Sequence, residues 1–92
     1  MWYVYIIKCA DSNLYTGVTT DVPRRVKRHN SKKASKYTRV RTPVTLAYSE
    51  GCSTKSSALK REAQIKRWSK QKKLALISGD LSLLHNISKS RD

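Results

Sequence analysis

Residues 2–18, WYVYIIKCADSNLYTGV, decide the fold of this 92-residue chain. The first part, WYVYIIK (residues 2–8), is aromatic and β-branched at both even and odd positions, the composition of a strand covered on both faces. Asp11-Ser12-Asn13 is turn chemistry, because short polar side chains bond to their own backbone there. LYTGV (residues 14–18) then reads as a second strand, so the two form a hairpin. Tyr3, Tyr5, Ile7, Tyr15 and Gly17 are all odd-numbered. If the hairpin pairs residues whose numbers sum to an even value, Tyr5, Tyr15 and Gly17 share one face. A glycine inside a strand suggests a bulge or the close approach of another group, and Gly17 is marked on that ground.

Working outward, TTDVPRRVKRHN (residues 19–30) reads as a helix. Thr20 or Asp21 can cap it, and Pro23 falls in the first turn, where its missing donor costs nothing. Helical spacing puts Val22, Arg25, Val26 and His29 on one face, with Arg24, Lys27 and Arg28 pointing elsewhere. Residues 31–42, SKKASKYTRVRT, read as a basic loop. Residues 44–50 alternate like a third strand. Ser53 or Thr54 opens a second helix running to about Trp68, with Ala58, Leu59, Ile65 and Trp68 as its apolar stripe. Ser69 opens a third, ending near Gly79 with Leu74 and Ile77 inward. The expected fold class is α+β, a small three-stranded antiparallel sheet packed with helices in the order β-β-α-β-α-α. Residues 1–80 are expected to form one domain and residues 81–92 a short extension, partly helical or frayed.

Twenty Lys and Arg face six Asp and Glu, a net charge of +14 and a pI near 10.3. Self-repulsion on that scale opposes compaction and points to a polyanionic partner, since each phosphate neutralised releases a condensed counterion. Nucleic acid is the partner this implies. Arg24, Arg28, Lys32, Lys33, Lys36, Arg39 and Arg41 are the expected phosphate contacts, and Tyr37 among them could stack on an unpaired base. A protein partner and the oligomeric state are left open. No run approaches a membrane span, and no signal peptide is visible. Cys9 and Cys52 have no CxxC spacing, and with His29 and His85 they make no zinc set. The chain reads as cytoplasmic.

Glu62 is the carboxylate that helical spacing puts on an apolar face, in step with Ala58, Ile65 and Trp68. There it must find a partner, or burial raises its pKa. Two readings are open: a metal ligand, or an edge residue paired with a neighbouring Lys or Arg. Asp11 serves a turn, Asp21 a cap, and Glu50 is the one rival. One carboxylate suffices for Mg²⁺, which fills its remaining positions with water and substrate phosphate. Arg25 is the companion anomaly, a planar phosphate-binding fork on a valine face. His29, one turn later, is either structural or catalytic.

Two tyrosines on adjacent strands, a helix bearing an arginine and a later helix bearing a glutamate together resemble the GIY-YIG nuclease family. The first signature is Tyr3-Val4-Tyr5, differing from Gly-Ile-Tyr at its first two positions, and the second is Tyr15-Thr16-Gly17. The strings LYTGVTTDVPRR, KYTRVRTPV and ALKREAQIK are similar to those of its small single-domain bacterial branch, over about residues 2–77. The resemblance implies an endonuclease that hydrolyses phosphodiester bonds with one divalent ion, Mg²⁺ or Mn²⁺; a structure- or strand-selective enzyme acting on DNA in repair or processing is the expected form. It implies that Glu62 ligates the metal, Arg25 binds the scissile phosphate, Tyr5 or Tyr15 activates water, and His29 assists. A tyrosine, with a free pKa of about 10, needs a nearby cation to serve as a base, and Arg25 and the metal could supply it. The other class of function to weigh is a nucleic-acid-binding adaptor that kept the fold without useful catalysis. Such an adaptor needs no carboxylate in its site.

Overall fold

A strand that is apolar from residue 2 to residue 7 has to be covered on both faces, and the computed structural model, which describes residues 1–79, places β1 (Trp2–Lys8) accordingly. It is the central strand of an antiparallel sheet in the order β2-β1-β3, flanked by β2 (Leu14–Thr19) and β3 (Thr45–Cys52). Val4, Tyr5, Ile6 and Ile7 are all buried. At roughly 1.5–3 kcal/mol for each large apolar side chain removed from water, this strand is the main organiser of the fold.

The hairpin pairs Tyr5 with Gly17 and Ile7 with Tyr15, the even-sum register, so the odd-numbered residues do share a face. That face is covered by α1 (Val22–Asn30), where Tyr5, Ile7, Cys9, Val22 and Val44 form one core with Tyr3, Tyr15 and Val26 against it. The even-numbered face carries Val4 and Ile6 against Ala58 and Ile65 of α3 (Lys55–Lys66) and Leu76 of α4 (Lys70–Ser78). The order β-β-α-β-α-α is as expected, apart from one added turn of helix, α2 (Lys36–Arg39), inside the basic segment read as loop. Ser35 caps that turn by accepting from the Tyr37 amide, a signal too short to stand out in sequence.

Asp21 is the cap of α1, and Thr54 that of α3. Two expected apolar positions point outward: Leu59 is 42% exposed and Leu74 47%. α4 instead buries Lys72, Ala75 and Leu76. The Lys72 ammonium lies 4.4 Å over the Trp68 ring, a contact that favours its inward position. Cys9 and Cys52 are free. The expected carboxy-terminal helical turns lie outside the described residues.

Candidate active site

Gly17 is where the site begins. Its missing side chain leaves room for the Tyr5 ring, which crosses the neighbouring strand at that point. A Cβ on Gly17 would stand 2.5 Å from the Tyr5 hydroxyl and 2.7 Å from its Cζ. The strand glycine is therefore explained by the close approach of a tyrosine rather than by a bulge. The Tyr5 hydroxyl reaches His29 Nε2 at 2.8 Å, and His29 Nδ1 reaches Thr38 Oγ1 at 2.7 Å. Tyr5, His29 and Thr38 are each no more than 1% exposed.

Tyr15 sits on the same face, its ring edge-on to His29 at 5.2 Å between centroids and stacked on Tyr37 at 5.8 Å. The Arg41 guanidinium lies 4.0 Å over Tyr37 and bonds to Asp11 at 3.0 Å. Tyr37 thus already has two ring partners within the chain.

The electrostatics join Arg25 and Glu62 to this cluster. Burial pushes the Tyr5 pKa up to about 12, and neighbouring Tyr15 adds to the rise. Arg25 pulls it down through its charge and a hydrogen bond, and Glu62 adds a smaller upward push. Arg25 thus acts on Tyr5 in the expected sense, but burial outweighs it, and the Tyr5 proton is held firmly. His29 is shifted below the ordinary histidine value, by burial first and then by Arg25. It is a neutral imidazole at pH 7.

Glu62 lies on α3 with its side chain 18% exposed and the Lys66 ammonium 3.3 Å away. It thus has the lysine partner of one reading, and its charge reaches Tyr5 as the weakest of the influences on that hydroxyl. An exposed i,i+4 pair contributes only about 0.3–0.5 kcal/mol, so Lys66 is easily displaced. Glu50, the rival, is engaged elsewhere, accepting from Tyr48 at 2.6 Å and from Arg61 at 2.9 and 3.3 Å. Asp11 accepts from the Asn13 amide and Asp21 from the Arg24 amide, the turn and cap roles expected of them. Among the described residues no three of His, Cys, Asp and Glu gather into a metal-binding group. The donor set around Tyr5 therefore fits a hard ion held by one carboxylate and completed by water and phosphate oxygens, and it fits no multi-ligand protein cage.

Of the expected residues, Tyr5 and Tyr15 thus both meet His29, Arg25 acts on Tyr5 directly, and the charge of Glu62 reaches Tyr5 more weakly. Arg24, Arg25 and Arg28 share a groove of about 190 Å³ with Thr19, Thr20 and Asp21. Lys32, Lys33, Lys36 and Arg39 line a second recess of about 200 Å³. Arg41 is not part of that recess, since it is held over Tyr37. Two contributors escaped the sequence reading. Thr38 holds His29 from nine residues away, and Asn30 clamps the backbone of Val44 with bonds of 2.7 and 3.1 Å. The one signal in sequence is the string KYTRVRTPV, similar to those of the family's bacterial branch, which contains Thr38.

Residues 1–75 match the family model described as the GIY-YIG catalytic domain. The chain belongs to the GIY-YIG family. Within it, the chain is 54% identical over 76 residues to the UPF0213 protein SSP2268 of Staphylococcus saprophyticus, covering 83% of this chain and 93% of that one. It is 56% identical over 75 residues to the UPF0213 protein SA0446 of Staphylococcus aureus, covering 82% and 92%. Two solved structures are similar to this GIY-YIG chain. The UPF0213 protein BH0048 of Bacillus halodurans superposes with a TM-score of 0.55 at 46% identity, over 85% of this chain and 84% of that one. The protein EF2693 of E. faecalis superposes with a TM-score of 0.56 at 39% identity, over 86% and 85%. Among the described residues, no helix is long and apolar enough to cross a membrane.

Proposed function

We propose that this GIY-YIG chain is a metal-dependent endonuclease that hydrolyses phosphodiester bonds in DNA, acting in the cytoplasm in DNA repair or processing. The observation that carries the reading is the buried Tyr5–His29 pair, with Tyr15 beside it and the charges of Arg25 and Glu62 acting on it. A domain that only bound nucleic acid would have no use for a half-buried carboxylate in such a place.

Arg25 offers a planar pair of donors to the scissile phosphate and stabilises the charge that develops on it. Glu62 would hold a Mg²⁺ or Mn²⁺ ion, releasing Lys66, and that ion would supply positive charge to the phosphate oxygens and lower the pKa of water. Tyr5 or Tyr15 takes the proton of the attacking water. For Tyr5 the route is specific: with its own pKa near 12, its oxygen gains the water proton as its phenol proton passes to His29 Nε2 at 2.8 Å. A neutral His29 is ready to receive it. The groove of Arg24, Arg25 and Arg28 and the recess of Lys32, Lys33, Lys36 and Arg39 carry the phosphates on either side.

The test is a cleavage screen of the purified protein on single-stranded, duplex and branched DNA and on RNA, with Mg²⁺, Mn²⁺ or a chelator. Cleavage of a DNA substrate that chelator abolishes is the expected result. No cleavage of any substrate with either metal would overturn the proposal.

A further inference from the structure

A buried imidazole between two hydroxyls can be wired in two directions, and the direction sets whether it accepts a proton from its tyrosine or gives one. Thr38 Oγ1 lies 2.7 Å from His29 Nδ1 and also donates to the Ser35 carbonyl at 3.4 Å. A hydroxyl has one proton, and a carbonyl only accepts. With the Thr38 proton directed at Ser35, its oxygen is left to accept from Nδ1–H. The other nitrogen, Nε2, then carries the lone pair that faces the Tyr5 hydroxyl at 2.8 Å. The chain of donors runs Tyr5 to His29 to Thr38 to the Ser35 carbonyl.

We propose that Thr38 is a positioning residue that locks His29 in the Nδ1-protonated tautomer, so that Nε2 is the acceptor for the Tyr5 proton. This rests on the nuclease reading above for its consequence in catalysis, while the tautomer itself stands on the geometry alone. The ring needs such a lock because both of its nitrogens face hydroxyl groups that can donate or accept. Thr38 is fully buried on α2, the turn that Ser35 caps, so its hydroxyl has a fixed acceptor within its own turn. The same turn carries Tyr37, stacked on Tyr15, so α2 holds His29 and Tyr15 from one short element. Without the Thr38 hydroxyl, Nδ1–H would be a buried donor with no acceptor. The imidazole would then shift its proton to Nε2 and donate to Tyr5, reversing the direction of transfer.

The experiment reads the imidazole nitrogens of the full chain by ¹⁵N-detected correlation spectra, with His29 assigned against a His85→Gln variant. Wild type and Thr38→Ser are expected to show the Nδ1-protonated pattern. Thr38→Val is expected to show Nε2 protonation or a mixture, and Thr38→Ala is read in its place if the valine variant loses its dispersed amide spectrum. In cleavage assays Thr38→Val should lose about 10²-fold or more in rate at unchanged DNA affinity, with Thr38→Ser near wild type. An unchanged tautomer without the hydroxyl, or full cleavage by a Thr38→Val protein whose Glu62→Gln counterpart is inactive, overturns the proposal. If wild type cleaves nothing, the nuclease reading fails by itself, and the nitrogen spectra still decide the role of Thr38.

Discussion

The ring of Tyr5 occupies the space that a side chain on Gly17 would need, and the two residues face each other directly across β1 and β2. The second motif thus keeps its glycine to seat the tyrosine of the first. Gly17→Ala should displace Tyr5 from His29. Overpacking of this kind costs about 1–3 kcal/mol of stability, and a misplaced reactive group costs about 10²-fold in rate. Thermal denaturation and cleavage rates of the alanine variant check this together. Wild-type values in both would mean that the ring does not rest on Gly17 in solution.

Much of this arrangement was legible in sequence because it follows from parity and phase. The odd numbering of Tyr5, Tyr15 and Gly17 set the shared face, and the spacing of Val22, Arg25, Val26 and His29 set the inward side of α1. Glu62 was found the same way, as a charge in step with Ala58 and Ile65. Thr38 and Asn30 were not found, because each acts through a single tertiary contact that leaves no periodic trace. Helical spacing puts Leu59 and Leu74 inward, yet both point to solvent, whereas Lys72 is buried with its ammonium over Trp68, a contact that spacing does not reveal. The one-turn α2 rests on a single cap and has no apolar stripe of its own.

The buried imidazole makes stability depend on pH. The pKa of His29 is lowered on folding, so between that lowered value and the ordinary 6.5 the unfolded chain binds a proton that the folded chain does not. The stability associated with a neutral His29 is therefore complete above about 6.5 and is lost as the pH falls through that window. Denaturation midpoints followed from pH 7.5 to 5.5 should decline in wild type and decline less in His29→Gln. Parallel curves would mean that His29 does not carry the effect.

Arg24 and Arg25 are neighbours in sequence, but Arg24 is exposed and Arg25 is half-buried beside Tyr5. Arg25→Ala should reduce cleavage by about 10²-fold or more, the loss typical of one transition-state donor. Arg24→Ala should chiefly weaken binding by a modest factor. Rate and affinity measured for each variant separate the two, and equal effects would show that only the summed charge of the groove matters.

The basic recess and the Tyr15–Tyr37–Arg41 stack predict different signatures in binding. Each phosphate contact removed should lower the salt slope of the binding constant by about 0.7–0.9 in magnitude, so Lys36→Ala combined with Arg39→Ala should flatten it visibly. Tyr37→Ala should leave the slope alone and, if a base takes the place of Arg41 on its ring, cost roughly 1–3 kcal/mol on single strands, with little change on duplex, where base faces are hidden. Salt titrations on both substrates decide this. An unchanged slope in the double variant would remove α2 and its flanks from the binding surface.

The central claim is that Glu62 serves a metal in a nuclease site and not merely an ion pair with Lys66. The most direct measurement compares wild type and Glu62→Gln for Mg²⁺- or Mn²⁺-dependent DNA cleavage and, in parallel, for DNA affinity. The substitution keeps the shape of the side chain and removes its charge. Cleavage should disappear while affinity is held or rises, because a negative charge has left a phosphate-binding face. Wild-type cleavage by the glutamine variant would contradict the account.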